Sequence, residues 1–174
     1  MFDLIKFNPR IWFFLLFISC FLMLATGAYF QFVEELEPCP LCISQRIAIL
    51  LSGIIFLIAA IHNPKQCGIK AYSIIGAISA LIGACISIRH VWIQNLPADE
   101  VPECGPGLEY VFENFPILDT VKLMFNGSGE CAEILWTFLG LSIPGWTLVA
   151  FLGLATVSLL QQWNRTPLTI QEGE

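Results

Sequence analysis

Charge is what this chain of 174 residues lacks: 13% of it is Asp, Glu, Lys or Arg, about half the roughly 25% of an ordinary soluble domain. With 8 Lys and Arg against 14 Asp and Glu, it has no excess of basic residues to meet phosphates, and no nucleic acid is expected as a partner. A histidine after the second cysteine of Cys39-Pro40-Leu41-Cys42 is also missing, since Ile43 stands there, which excludes covalent haem attachment. A second close cysteine pair is missing as well. Structural zinc usually wants two such pairs, and Cys104 and Cys131 are far apart in sequence, so no metal is expected. Linkers, repeats and low-complexity tracts are absent too, which predicts a single domain over 1–174.

What is there is hydrophobicity. Mean hydropathy is +0.74, and residues 11–30, 47–61, 71–88 and 144–163 contain no charged side chain. A helix needs about twenty residues to cross the hydrocarbon, and in lipid the backbone must satisfy its own hydrogen bonds. The prediction is an all-α membrane protein: a four-helix bundle with helices over about 11–30, 45–62, 71–89 and 144–163. Small residues such as Gly27, Gly53, Gly76, Gly83 and Gly153 would let these helices approach closely. The first run follows Lys6 and Arg10 and contains Thr26-Gly27-Ala28, a possible cleavage site. It is longer than the usual signal-peptide core of about 7 to 15 residues, so it is read as a retained helix.

Lys6, Arg10, Lys65, Lys70 and Arg165 flank the helices on one side, and the positive-inside bias makes that side cytoplasmic. Both termini are then inside, and segments 31–46 and 89–143 form two outer loops. Cys39, Cys42, Cys104 and Cys131 fall outside, where disulfides persist. Cys20, Cys85 and Cys67 fall in helices one and three and in the inner loop, and are read as bystanders.

A pair of disulfides bracing the outer loops would explain four cysteines without any catalysis. Cys39 and Cys42 argue against it, because two intervening residues close a small ring that gains little loop entropy, whereas C-x-x-C is the spacing of acidic, fast-exchanging thiols. Arg46 lies one turn beyond Cys42 on the side where positive-inside bias gives it no topological role. It suits a cation that holds a thiolate and polarises an electron acceptor in the membrane. The alternative is an arginine that snorkels to the headgroups. Arg89 and His90 stand at the same depth, and His90 could donate to, or carry a proton for, a two-electron acceptor, or could be an interfacial polar residue.

The long loop carries an acidic cluster (Asp99, Glu100, Glu103, Glu109, Glu113). After it, Ile117, Leu118, Val121, Met124 and Phe125 recur at helical spacing. They predict a short amphipathic helix over 116–125, lying on the membrane or packed on the bundle. Asn126-Gly127-Ser128 matches a glycosylation acceptor but is first a turn signal.

Several blocks occur in a fixed order. Cys39-Pro40-Leu41-Cys42-Ile43-Ser44-Gln45-Arg46 precedes helix two, His90 ends helix three, and Cys104 lies in the long loop. Then come Ser128-Gly129-Glu130-Cys131-Ala132-Glu133, Trp136, Phe138-Leu139-Gly140-Leu141 and Pro144-Gly145-Trp146. Together they resemble the DsbB family of bacterial disulfide-forming membrane proteins over nearly the whole chain. In the related vitamin K epoxide reductase group the active C-x-x-C lies near the end of the last core helix, whereas here it precedes helix two.

The resemblance implies an inner-membrane enzyme that reoxidises a periplasmic thiol oxidase of the DsbA type and passes electrons to a quinone, ubiquinone or menaquinone. It further implies that Cys104 and Cys131 form the disulfide attacked by the partner, with Cys104 taking the mixed disulfide. Cys131 would then exchange through a Cys39–Cys131 link, leaving Cys42 facing the quinone. Arg46 matches the family's quinone-site arginine, and His90 aligns with a histidine near that site. Gln45 and Arg89 receive no role. The alternative to the enzyme remains a membrane subunit or binding protein with structural disulfides.

Overall fold

The computed structural model describes residues 8–97, 99–102, 116, 122 and 124–163. Four long helices dominate: α1 (Pro9–Phe32), α2 (Pro40–His62), α3 (Gln66–Gln94) and α4 (Ile143–Trp163). All four contain stretches long and apolar enough to cross a membrane.

Their ends extend beyond the uncharged runs, because capping rather than hydropathy sets where a helix begins. Asn8 caps α1, its side chain accepting from the Arg10 N–H at 3.2 Å with Pro9 at the first helical position. Cys39 caps α2, its sulfur accepting from the Cys42 N–H at 3.4 Å with Pro40 next in line. The helix predicted from about 45 therefore starts at Pro40 and places the whole C-x-x-C motif at its N-terminus. α2 ends at Asn63 in the left-handed conformation, and α3 outruns its predicted 71–89 at both ends.

The helices pack in sequence order, α1 on α2, α2 on α3, and α3 on α4, while α1 and α4 touch little. Rings seated on glycines make the close approaches. A Cβ at Gly76 would lie 2.4 Å from the Phe56 ring, and one at Gly83 would lie 2.2 Å from the Phe151 ring. Enlarging either glycine would force the helices apart. Phe13 stacks on Phe56 with ring centroids 6.5 Å apart. Polar ties reinforce the packing: Ser52 and Ser79 hydroxyls meet at 2.8 Å, and the Ser158 hydroxyl donates to the Ser73 carbonyl at 3.0 Å.

At the end of the bundle away from Cys39, Gln161 of α4 donates to the Pro9 carbonyl of α1 at 3.3 Å. That bond ties α1 to α4 at this end. Phe21, Leu22, Ile61, Ile78 and Ile82 stand exposed on the outside, an apolar belt that suits lipid rather than water.

Between α3 and α4 a 3-10 turn (Gly129–Ala132) is followed by a hairpin, β1 (Thr137–Phe138) and β2 (Leu141–Ser142). The antiparallel pairing is Thr137 with Ser142 and Phe138 with Leu141. Leu139 and Gly140, at φ 52° and 80°, make the two-residue turn whose twist matches the strands. This hairpin was not predicted, since two-residue strands carry no readable alternation. Of the predicted amphipathic helix, Lys122, Met124 and Phe125 are helical and Pro116 is not, and Asn126, expected in a turn, is helical too. Ile117, Leu118 and Val121 lie outside the described residues, as do Glu103, Cys104, Glu109, Glu113, Lys6 and Arg165.

Candidate active site

The start of α2 brings Cys39 and Cys42 together, with sulfurs 3.1 Å apart. Both are free thiols, as are the other four cysteines among the described residues. Cys131 arrives from the 3-10 turn, fully buried in the same core cluster as Cys39 and near enough for each to shift the other's ionisation. Three of the four predicted redox cysteines thus form one cluster. Cys104 lies outside the described residues. Cys20, Cys67 and Cys85 stand apart from it: Cys20 is buried beneath Gly53, while Cys67 and Cys85 are exposed.

Within the cluster the proton is unevenly held. Cys39 donates toward Cys131 and Cys42 and is buried, so its thiol is pushed up from the usual range. Cys131 is lowered to about 6, chiefly by accepting from Cys39 and also by the backbone of Leu41.

The segment carrying Cys131 is pinned from α3 and α2. The Arg89 guanidinium donates to the carbonyls of Phe125 at 2.8 Å and Asn126 at 2.9 Å, and the Ser44 hydroxyl reaches the Met124 carbonyl at 3.4 Å. Gly127 sits at φ 76°, and a Cβ there would lie 2.9 Å from side-chain carbons of Leu41 and Ile93. The Asn126-Gly127 pair thus serves as the turn that lets the loop press onto the bundle. Arg89 has a signal that could have been read: like Arg46, it is a cation with no topological role at this end.

His90, at 2% exposure, points at the sulfurs. Its Nε2 lies 3.7 Å from Cys39 Sγ, and the Gln45 amide nitrogen lies 3.2 Å from its Nδ1. With Gln45 donating, Nδ1 accepts and the ring proton sits on Nε2, aimed at Cys39. The ligand atoms of Cys39, Cys42 and His90 all fall within 4.8 Å, a span that could hold a metal ion. The 3.1 Å sulfur contact is shorter than the separation of about 3.8 Å that two thiolates take on a tetrahedral zinc. It suits exchange better.

Beside the cluster, on the α1 side, lies a cavity of about 450 Å³. Cys42, Gln45 and Arg46 line it from α2, Thr26, Gly27 and Phe30 from α1, and Trp136, Phe138 and Trp146 from the hairpin and α4. Arg46 is held by α1, donating to Gln31 Oε1 and to the Gly27 carbonyl at 2.8 Å. Two of the five guanidinium N–H groups are used there, which leaves donors for an occupant. Phe30, Trp136, Phe138 and Trp146 form a chain of ring contacts with successive centroids 5.3, 5.9 and 6.0 Å apart, the middle pair stacked and the outer two tilted. His90 does not line this cavity and reaches it through Gln45. Gln45, Gln31 and Arg89 were missed by sequence reasoning, because a polar side chain in a helix does not disclose its partner.

The whole ordered set of cysteines and aromatics falls inside a match to a single family model, described as disulfide bond formation protein DsbB, over residues 9–161. The chain belongs to the DsbB family. A disulfide bond formation protein B from Nitrosococcus oceani is 62% identical over 149 residues, covering 86% of this chain and 88% of that protein. One from Methylococcus capsulatus is 58% identical over 157 residues, covering 90% and 96%. One from Hahella chejuensis is 52% identical over 155 residues, covering 89% and 93%. DsbB membership together with the four apolar helices makes this a multi-pass membrane protein of disulfide bond formation, and the reading as an inert structural subunit gives way.

Proposed function

We propose that the protein reoxidises a soluble thiol oxidase of the DsbA type and delivers the electrons to a membrane quinone, with Cys104 and Cys131 as the outer pair and Cys39 and Cys42 as the inner pair. The observation that carries this reading is one cavity lined by a redox-pair thiol, Cys42, and a cation, Arg46, at the membrane-helix ends. Its aromatic walls suit a flat ring and its free guanidinium donors suit a ring carbonyl, so the residues fit a quinone.

The steps balance as follows. A partner thiolate attacks the Cys104–Cys131 disulfide at Cys104, forming a mixed disulfide and freeing the Cys131 thiolate. The partner's second thiol resolves that disulfide and leaves oxidised, with Cys104 and Cys131 reduced. Cys131 attacks Cys39 of the inner disulfide as its thiolate, forming Cys39–Cys131 and releasing Cys42 as thiolate beside Arg46. Cys104 then attacks Cys131, which restores the outer disulfide and frees Cys39. The inner dithiol finally yields two electrons and two protons to the quinone and closes again as a disulfide. Net, one partner dithiol becomes a disulfide and one quinone becomes a hydroquinone.

The distribution of Lys and Arg supports placement in the bacterial inner membrane with both termini cytoplasmic and the redox loops periplasmic. The test is anaerobic: purified protein, reduced DsbA-type partner and ubiquinone or menaquinone are mixed, and partner disulfide and hydroquinone are counted. Equal yields of the two are expected. Partner oxidation that needs no quinone would overturn the reading.

A further inference from the structure

Among the described residues, three buried polar atoms have no hydrogen-bond partner: Ser73 Oγ, Gln161 Oε1 and Ser128 Oγ. Such orphans are few in native proteins, and each costs stability unless some state of the molecule uses it. Ser73 and Gln161 lie in the halves of α3 and α4 remote from Cys39. Ser128 stands three residues before Cys131.

The ordinary reason for a serine at this place does not apply. Ser128 occupies the capping position of the 3-10 turn Gly129–Ala132, where a hydroxyl usually accepts from a backbone N–H, yet its side chain makes no capping bond. The backbone closes the turn instead, with the Cys131 N–H donating to the Ser128 carbonyl at 2.9 Å. The hydroxyl is left in a residue that is 3% exposed. It is near enough to the Cys131 sulfur to lower its ionisation, behind the larger influence of Cys39 and in the same direction as the backbone of Leu41. The other titratable groups that face Cys131 among the described residues are Cys39 and Cys42 from α2, and His90 from α3, which lies against the Cys131 backbone. Glu130, next to it in the chain, is exposed. Arg89 is engaged by the carbonyls of Phe125 and Asn126, and Arg46 by α1.

We propose that Ser128 is a built-in donor for the Cys131 thiolate: its hydroxyl, without a partner while the sulfur is a thiol, hydrogen-bonds that sulfur when the charge appears. This rests on the exchange scheme above. There, a partner thiolate attacks Cys104, the Cys104–Cys131 bond breaks, and its electron pair leaves on Cys131 Sγ. No proton is transferred from Ser128, whose hydroxyl keeps its hydrogen and turns it toward the sulfur. A thiol sulfur is a weak acceptor and a thiolate a strong one, so the bond forms where the charge is. A donor already in place in a buried site costs no reorganisation at that moment. Because donor and sulfur share one short turn, they travel together whichever cysteine Cys131 is paired with. The gain falls on departure: a more acidic thiol leaves faster, but its thiolate is a poorer nucleophile, so the later attack of Cys131 on Cys39 changes little at neutral pH.

The experiment uses the full chain in detergent and compares wild type with Ser128→Ala and Ser128→Thr. In the fully reduced protein, alkylation of Cys131 is followed across pH by peptide mass mapping. Its midpoint should move up by about half to one pH unit in Ser128→Ala. In Ser128→Thr it should stay within about 0.3 unit, since the hydroxyl is kept and the branched side chain suits the extended backbone at φ −121°, ψ 172°. In the oxidised protein, opening of the outer disulfide by the reduced DsbA-type partner at pH 7 should slow about threefold in Ser128→Ala, while formation of the Cys39–Cys131 link stays within about twofold. The melting temperature of Ser128→Ala should equal or exceed that of wild type, because an orphaned hydroxyl has been removed. An unchanged alkylation midpoint in Ser128→Ala would overturn the proposal. A lower melting temperature in that variant, with both exchange steps slowed alike, would overturn it too and make Ser128 a support of the turn. Should the wild-type outer disulfide not exchange with the partner at all, the exchange scheme fails, and the alkylation midpoints still decide whether Ser128 serves Cys131.

Discussion

His90 Nε2 lies 3.7 Å from Cys39 Sγ, so the histidine faces the sulfur pair while Cys42 and Arg46 line the neighbouring cavity. Its proton on Nε2 can support charge on Cys39 whenever that sulfur is the leaving group. Gln45 sets this arrangement by holding Nδ1 at 3.2 Å, and being in the cavity wall it links the two halves of the site.

Gln45→Leu should therefore lower kcat by about tenfold, the scale at which loss of a partner that orients an imidazole is felt. Gln45→Glu should retain an Nε2–H, because a carboxylate can hold the ring as imidazolium, and should shift the pH profile instead of abolishing turnover. Nitrogen chemical shifts of His90 read the tautomer directly. An unchanged tautomer in Gln45→Leu would leave Gln45 without this role.

In the reduced protein, Cys131 should be the fastest alkylated thiol of the cluster at low pH in a denaturant-free trapping experiment. Its thiolate is populated above about 6, so trapping slows as pH falls through that value and levels off above it. Cys39→Ala removes the thiol that donates to Cys131, and the midpoint should then move up toward that of an ordinary thiol. A midpoint that stays near 6 in the variant would assign the effect to the backbone of Leu41.

Arg89 holds two carbonyls of the segment that delivers Cys131. Arg89→Gln should slow formation of the Cys39–Cys131 link by about tenfold, in line with loss of roughly 1.5 to 3 kcal/mol for charged hydrogen bonds partly made up by water. Quinone reduction by the inner pair should change little. Gly127→Ala, forced to positive φ against Leu41 and Ile93, should act in the same direction at a cost of about 1 to 2 kcal/mol. Rapid-quench trapping of the link measures both.

The four spans were legible because lipid leaves a coarse signal, uncharged runs of helical length, and the C-x-x-C spacing was legible because chemistry demands it. The helix ends were less so, since α2 starts where Cys39 caps it and not where hydropathy rises. Arg46 could be picked out as a cation without a topological role. Arg89 carried the same mark, but its carbonyl partners lie more than thirty residues away in sequence. The approach of Cys131 to Cys39 depends on a left-handed glycine and a pinned loop, and no local pattern announces it. The hairpin was hidden for another reason: its strands, Thr137–Phe138 and Leu141–Ser142, are two residues each, too short for alternation to be read.

Arg46 reaches the cavity from α2 but is aimed by α1, through Gln31 and the Gly27 carbonyl. Arg46→Gln removes the charge that both the Cys42 thiolate and a quinone carbonyl would use, and should raise the apparent KM for quinone and slow its reduction by about tenfold or more. Arg46→Lys restores charge without the planar fork, so only part of the loss should return. Gly27→Ala leaves the arginine in place but sets a methyl 3.2 Å from its Nε, and should raise KM more than it lowers kcat, because the guanidinium is displaced and not removed. Exchange among the outer cysteines and the protein partner should be nearly unaffected in all three. Varying quinone and reduced partner separately in steady-state kinetics distinguishes these outcomes. If quinone affinity and quinone-reduction rate were unchanged in Arg46→Gln, the arginine would be an interfacial anchor and the acceptor would have to bind elsewhere.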